Sequence, residues 1–339
     1  MKPVRKALLA LLLALVCLAP HGSAQEANPV DGRMQRLSVL SQRDEAIGEL
    51  TYHTATVQRR GCMPVSIVNA LIASFGVTDR ETAIGLVQET LSLLVPRGSR
   101  GKAPVDLLGL SALLDPALRA EEREAYPNLA KTVGAYPGDV RVTQARLSAR
   151  EVLEQLDGAQ TPLMLVSRMA VYPDWTETVA LLMALHGMGM DDATLCLACM
   201  GAGTEASGAP LRSGRSGHYL TVFFHVGTFA ESGTVYVLDS LPRALADEPF
   251  TPYGAANEMH AQYGFVQDSA FNRNFTAARV SSTVIRLSLT QTALEALRAE
   301  PEETASARRV RLMKPLILFG PGVMMLSLPG ETDQPGDRP

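Results

Sequence analysis

Apolar side chains at Val65, Val68, Leu71, Ile72 and Phe75 recur at helical spacing, and Gly76 follows as a stop, which predicts a helix over 64–75. A second helix is expected over 80–94, closing before Pro96, and a third over 105–114. Ser148 with Glu151 three residues on has capping-box spacing and opens a short helix over 147–156, which Asp157-Gly158 ends. Pro162 to Val166 is a compact apolar run and reads as a buried strand, and 139–142 as a short one. Residues 177–190 read as helical, with 193–200 extending that helix. Two apolar, β-branched or aromatic strands follow at 219–224 and 234–238, and the Gly/Ser-bearing stretch 226–233 reads as a hairpin loop between them. Further on come a strand at 283–287, a helix at 290–299 and apolar strands within 312–328. Residues 25–50 are polar and mixed and read as a loose lead-in. Helices first and a mainly antiparallel sheet afterwards make the expected class α+β.

The first residues add a separate signal. MKPVRK is basic, Ala7 to Ala19 is almost unbroken apolar sequence, Pro20 breaks it, and Gly22-Ser23-Ala24 supplies small residues. This is the order of a secretory signal peptide, with cleavage expected after Ala24. The apolar run falls short of the ~20 residues that a spanning helix needs. The expected organisation is therefore a signal peptide over 1–24, a hydrolase domain over 25–285, a C-terminal α/β appendage over 286–329 and a disordered tail over 330–339. The expected location is periplasmic or secreted, with no membrane span after cleavage. The whole chain has a net charge of −4, and removing Lys2, Arg5 and Lys6 makes it more acidic. No basic cluster stands out, which argues against nucleic acid as a partner.

Without the signal three cysteines remain, Cys62, Cys196 and Cys199. An odd number in an oxidising compartment leaves at least one thiol unpaired or paired between chains. Cys62 stands just before the expected helix, with Pro64 in the first turn where proline is tolerated. A thiol at a helix N-terminus meets the positive end of the dipole and unpaired N–H groups, which favour thiolate, the nucleophilic form. His218, preceded by Gly217, stands where a flexible Gly/Ser stretch meets the strand that follows. Asp239 ends the next strand. If the two strands pair, His218 and Asp239 lie at one open end of the sheet, as a general base and the group that orients it.

Cysteine on a helix N-terminus, a glycine-preceded histidine opening a strand and an aspartate closing the next strand resemble the papain-like cysteine peptidase superfamily. Gly61-Cys62-Met63-Pro64-Val65-Ser66 resembles the Cys-Gly-Pro-x-Ser box of bacteriocin-leader-processing peptidases. Asp157 to Val166 resembles the helix–turn–strand before their histidine, and Gly217-His218-Tyr219-Leu220-Thr221-Val222 resembles their Gly-His-aromatic strand opening. Phytochelatin synthases share the order and are a looser likeness. The resemblance covers about residues 50–245. It implies a papain-like fold, a peptide or amide substrate, and neither metal nor organic cofactor. Two positions depart from the pattern. Met63 stands where glycine is usual after the nucleophile and would crowd the cleft. The glutamine expected six residues before the cysteine, a donor to the oxyanion hole, is replaced by Thr56; Gln58, four residues before Cys62, is the substitute candidate. Loss of such a donor costs on the order of 10²–10³ in rate.

Other groups compete for attention. Cys196-Leu197-Ala198-Cys199 has C-x-x-C spacing. It lacks the second pair of a zinc site, which His186 alone does not supply, and lacks a clear thioredoxin-like context. A local disulfide or two buried thiols is the expectation there. His53 is an alternative base lining a cleft, and His225 belongs at the far end of the histidine strand. Trp175, Tyr172 and Tyr219 are candidates for a groove, though aromatic residues more often fill cores. A catalytically inactive papain-like fold that binds a peptide or partner is the alternative function.

Overall fold

The computed structural model describes residues 28–52, 54–93, 124–134, 140–143, 162–167, 175–201, 218–240, 265–267, 283–298 and 316–319. Residues 1–27, which hold the expected signal, lie outside this set, as do His53, Tyr172, the helices expected over 105–114 and 147–156, and the tail.

From residue 28 onward the lead-in is ordered, which corrects the reading of 25–50 as loose over its described part. Helix α1 (Pro29–Arg36) starts with Pro29 in its first turn, and the Asn28 side chain accepts from the Val30 N–H at 3.0 Å. Both are helix-start devices. Val30, Met34, Leu37, Val39, Leu40 and Ile47 then enter the main core. A small hairpin of β1 (Thr51–Tyr52) and β2 (Ala55–Thr56) leads into the single-turn helix α2 (Val57–Arg60). Helix α3 (Cys62–Phe75) follows at once, buried along most of its length. Gly76 ends it with φ 71°, a left-handed conformation that glycine adopts without a Cβ penalty. Helix α4 (Arg80–Leu93) packs beside it, and helix α5 (Pro127–Gly134) packs against α4.

Two strands come next, β3 (Val140–Thr143) and β4 (Pro162–Ser167), followed by helix α6 (Trp175–Gly187). Residues Thr194–Gly201 form strand β5, not an extension of that helix. Every residue from Thr194 to Cys196 is buried, and a strand hydrogen-bonded on both sides and covered on both faces loses the alternation that identifies strands. Strand β6 (His218–His225) runs into helix α7 (Val226–Ser232), then strand β7 (Val235–Asp239). The expected hairpin loop is thus a two-turn helix: the His225 side chain accepts from the Thr228 N–H at its start, and Gly233 at φ 63° closes it. Strand β8 (Phe265–Gln267), strand β9 (Thr283–Leu289), helix α8 (Gln291–Arg298) and strand β10 (Leu316–Phe319) complete the described elements.

The main sheet has six strands in the order β4-β5-β6-β7-β9-β8, with β4 and β5 parallel and every other pair antiparallel. The class is α+β, helices packed on a largely antiparallel sheet. The domain boundary expected at 285 falls inside β9, which is hydrogen-bonded to β7 and β8, so the sheet continues across it. β10 pairs with β3 in a second, two-stranded sheet. No described helix is long and apolar enough to cross a membrane.

Helix α3 lies on β4 to β7. The face it covers carries Cys196, Phe223, Tyr236, Leu238 and Val284, all part of its core cluster. The alternate set, including Leu195, Val222, Phe224, Val235 and Val237, is buried outside that cluster, with Phe224 edge-on to Phe229 of α7.

Candidate functional site

Two hydrogen bonds fix the direction of α3 on the sheet. Thr221 Oγ1 donates to the Ser66 carbonyl at 2.6 Å, and Ser74 Oγ donates to Cys196 Sγ at 3.3 Å. Cys196 pairs with Phe223 across β5 and β6. Moving from Ser74 back to Ser66 therefore moves along β6 from Phe223 towards Thr221. One further turn brings α3 to Cys62, while β6 runs back to its first residue, His218. Arg33 holds the opposite end of the helix, with Nη2 donating to the Ala73 carbonyl at 2.6 Å and its guanidinium 5.5 Å from the Phe223 ring centre.

Asp239 comes to the same end. It pairs with Leu220 in the antiparallel register of β6 and β7, so the start of one strand meets the end of the other. Asp239 is only 6% exposed. Positions 218, 220 and 239 belong to one alternation set, and α3 covers the other, marked by Thr221, Phe223 and Leu238. Cys62 and the 218/239 pair thus share one end of the layered core without sharing one face of the sheet.

Cys62 is the first residue of α3, half-buried, and the cap position before it is Gly61, which makes no side-chain cap bond. Glycine is required there by a close approach. A Cβ on residue 61 would lie 2.4 Å from Val57 Cγ1 and 2.6 Å from the Val57 carbonyl oxygen. Met63, the residue after Cys62, is half-buried and packs against the core. Gln58 sits in α2 with an exposed side chain; its N–H donates to the Gly48 carbonyl at 2.9 Å, and its own carbonyl accepts from Gln42 Nε2 at 2.8 Å. Thr56, at the spacing where a glutamine is expected, precedes α2 as its cap residue.

Two residues beside Cys62 or its lead-in escape sequence reasoning. Tyr52 in β1 is 7% exposed, and its phenol is pushed up to about 12, first by burial and then by the neighbouring Cys62. It therefore stays a neutral hydroxyl at every physiological pH. Gln42 lies in the segment read as a lead-in; no motif marks either residue, and only the burial of that segment's apolar residues could have drawn attention to it.

Cys196 and Cys199 do not form a local disulfide. Cys196 is a thiol, and both residues lie on β5. Three residues of strand separate their Cα atoms by about 10 Å, beyond the roughly 7 Å limit for a disulfide. Cys196 is fully buried, and its thiol is pushed up to about 12 by that burial, with the Ser74 hydrogen bond acting the other way. His225 closes β6 at the end remote from His218 and pairs with Thr194. Burial lowers its pKa, and its Nδ1 accepts from the Thr228 N–H at 3.3 Å, a structural capping role. His186 pairs instead with Asp191 at 2.6 Å. Among the described residues no group of three or more His, Cys, Asp and Glu side chains has the arrangement of a metal site.

No family model, curated protein or solved structure matches this chain.

Proposed function

We propose that this chain is an exported, papain-like thiol hydrolase that cleaves or transfers an amide bond. The observation that carries the reading is the convergence of a cysteine-headed core helix, the first residue of β6 and the last residue of β7 at one end of the sheet. In this scheme Cys62 Sγ attacks the amide carbonyl carbon while His218 takes the thiol proton. The tetrahedral intermediate collapses to a thioester as His218 returns that proton to the leaving amine. Water then attacks the thioester, giving its proton to His218, and the acid departs as Cys62 recovers a proton. An amine in place of water makes the reaction a transpeptidation. Asp239 orients the imidazole over the strand ends. The Cys62 N–H at the start of α3 is one candidate donor to the oxyanion.

The test is the rate of Cys62 alkylation by iodoacetamide from pH 5 to 9, resolved at that residue by peptide mass spectrometry. A thiolate–imidazolium pair predicts fast alkylation well below the ordinary thiol pKa of about 8.5, reduced more than about tenfold at pH 6 in His218→Ala. An ordinary thiol profile, unchanged in His218→Ala, would falsify the reading.

The separation of Cys62 from the 218/239 set across the faces of the sheet favours a second reading, a non-catalytic module that holds a peptide or partner. Full biological activity in Cys62→Ala would select it.

A further inference from the structure

Gln42 lies in the loop between α1 and β1 and is 4% exposed. Its backbone N–H donates to the Ser240 carbonyl at 2.7 Å, and Ser41 Oγ approaches the same carbonyl at 3.4 Å. Ser240 directly follows Asp239, and its own Oγ donates to the carbonyl of Tyr219, the residue after His218, at 2.8 Å. From the opposite side, Gln42 Nε2 donates to the Gln58 carbonyl at 2.8 Å. Gln58 belongs to α2, which delivers the chain to Gly61 and Cys62. One glutamine therefore ties the strand end bearing Asp239 to the turn that presents Cys62, joining segments far apart in sequence.

The rest of this carboxamide has a cost. Gln42 Oε1 is buried and has no hydrogen-bond partner among the described residues. The donor–acceptor sense is fixed, because turning the amide over would set Oε1 against the Gln58 carbonyl. A methionine would fill a similar volume with no orphaned acceptor, so stability alone does not select an amide here. A buried polar group kept at that cost fits a demand for geometry.

We infer that Gln42 is a positioning residue, holding the Cys62 turn in register with the strand ends at His218 and Asp239. This rests on the thiol-hydrolase reading. It acts through the backbone at Gln58 and Ser240 and touches no reacting atom.

The experiment uses the full chain with Gln42→Met, His218→Ala and the two combined, each followed by melting temperature and by the alkylation profile of Cys62. Methionine removes the bond and the orphaned acceptor together and leaves the Gln58 carbonyl, on an exposed residue, to water. The expected result is a near-unchanged melting temperature, a loss of about tenfold or more in alkylation rate at pH 6, and no further loss when Gln42→Met is added to His218→Ala. A helper that only shields or stabilises the thiol would lower the rate equally in both backgrounds, and that outcome overturns the inference. If Gln42→Met does not fold, Gln42→Asn keeps an amide but withdraws it by about 1.5 Å, one bond length; a wild-type profile in that variant also overturns it. A profile indifferent to His218→Ala removes the hydrolase reading and this inference together. A normal response to His218→Ala with none to the Gln42 variants removes the inference alone.

Discussion

At residue 61 the absence of a side chain decides where the candidate nucleophile stands. The Val57 side chain and carbonyl occupy the space a Cβ would need, at 2.4 and 2.6 Å. Gly61→Ala must push α2 away from the start of α3, and overpacking of this kind costs about 1–3 kcal/mol. Urea unfolding should show that loss, accompanied by slower Cys62 alkylation at pH 6; an alanine variant of wild-type stability would show that the turn is loose. The sequence made Gly61-Cys62-Pro64 conspicuous because a proline-bearing helix start is a local signal. It could not reveal Tyr52 or Gln42, whose importance comes from contacts made by distant parts of the chain.

Single elements were legible where they form by local rules. Helix α3 and its stop at Gly76 follow from apolar spacing and one glycine, and Pro162–Ser167 follows from a short apolar run between turn residues. Strand β5 was misread because Ala, Leu and Met suit a helix, while the choice between helix and strand was made by its neighbours on both sides. Helix α7 was hidden by its glycine and its shortness; its stabilising cap is a histidine side chain that pattern reading does not rank as a cap. Helix α5 depends on a comparable long-range device. The buried Glu89 carboxylate of α4 accepts from the Asn128 N–H at 2.8 Å, the Asn128 amide at 2.8 Å and the Leu129 N–H at 2.7 Å. A carboxylate on the first N–H groups of a helix satisfies orphan donors and suits the dipole. Glu89→Ala should cost about 2 kcal/mol, within the range for charge-assisted hydrogen bonds. Thermal unfolding checks this, and a loss below about 0.5 kcal/mol would mean the cap adds little beyond water.

For the molecule as a whole, three buried acidic hydroxyl or thiol groups among the described residues set a response to alkali. The Cys196 thiol and the Tyr52 phenol are each pushed up to about 12, and the Tyr236 phenol is raised by burial and then by its hydrogen bond to Asp31. Above about pH 9 the unfolded chain loses these protons while the folded chain keeps them. The folded state then binds more protons, so stability falls as pH rises, by about 1.4 kcal/mol per pH unit for each group fully engaged. Cys196→Ala should flatten the slope of stability between pH 9.5 and 10.5 by one such increment in urea titrations. An unchanged slope would mean that the thiol ionises in the folded state.

The tie between Thr221 and Ser66 spans 155 residues, and that between Ser41 and Ser240 spans 199. A ribosome adds roughly 5–20 residues per second, so the start of α3 waits on the order of ten seconds or more before the strands that flank it exist. Throughout that interval the cysteine is an ordinary thiol on an incomplete chain. On the proposed reading, an activity assembled from both halves is thereby withheld during synthesis by chain length alone, with no inhibitory segment required for that purpose.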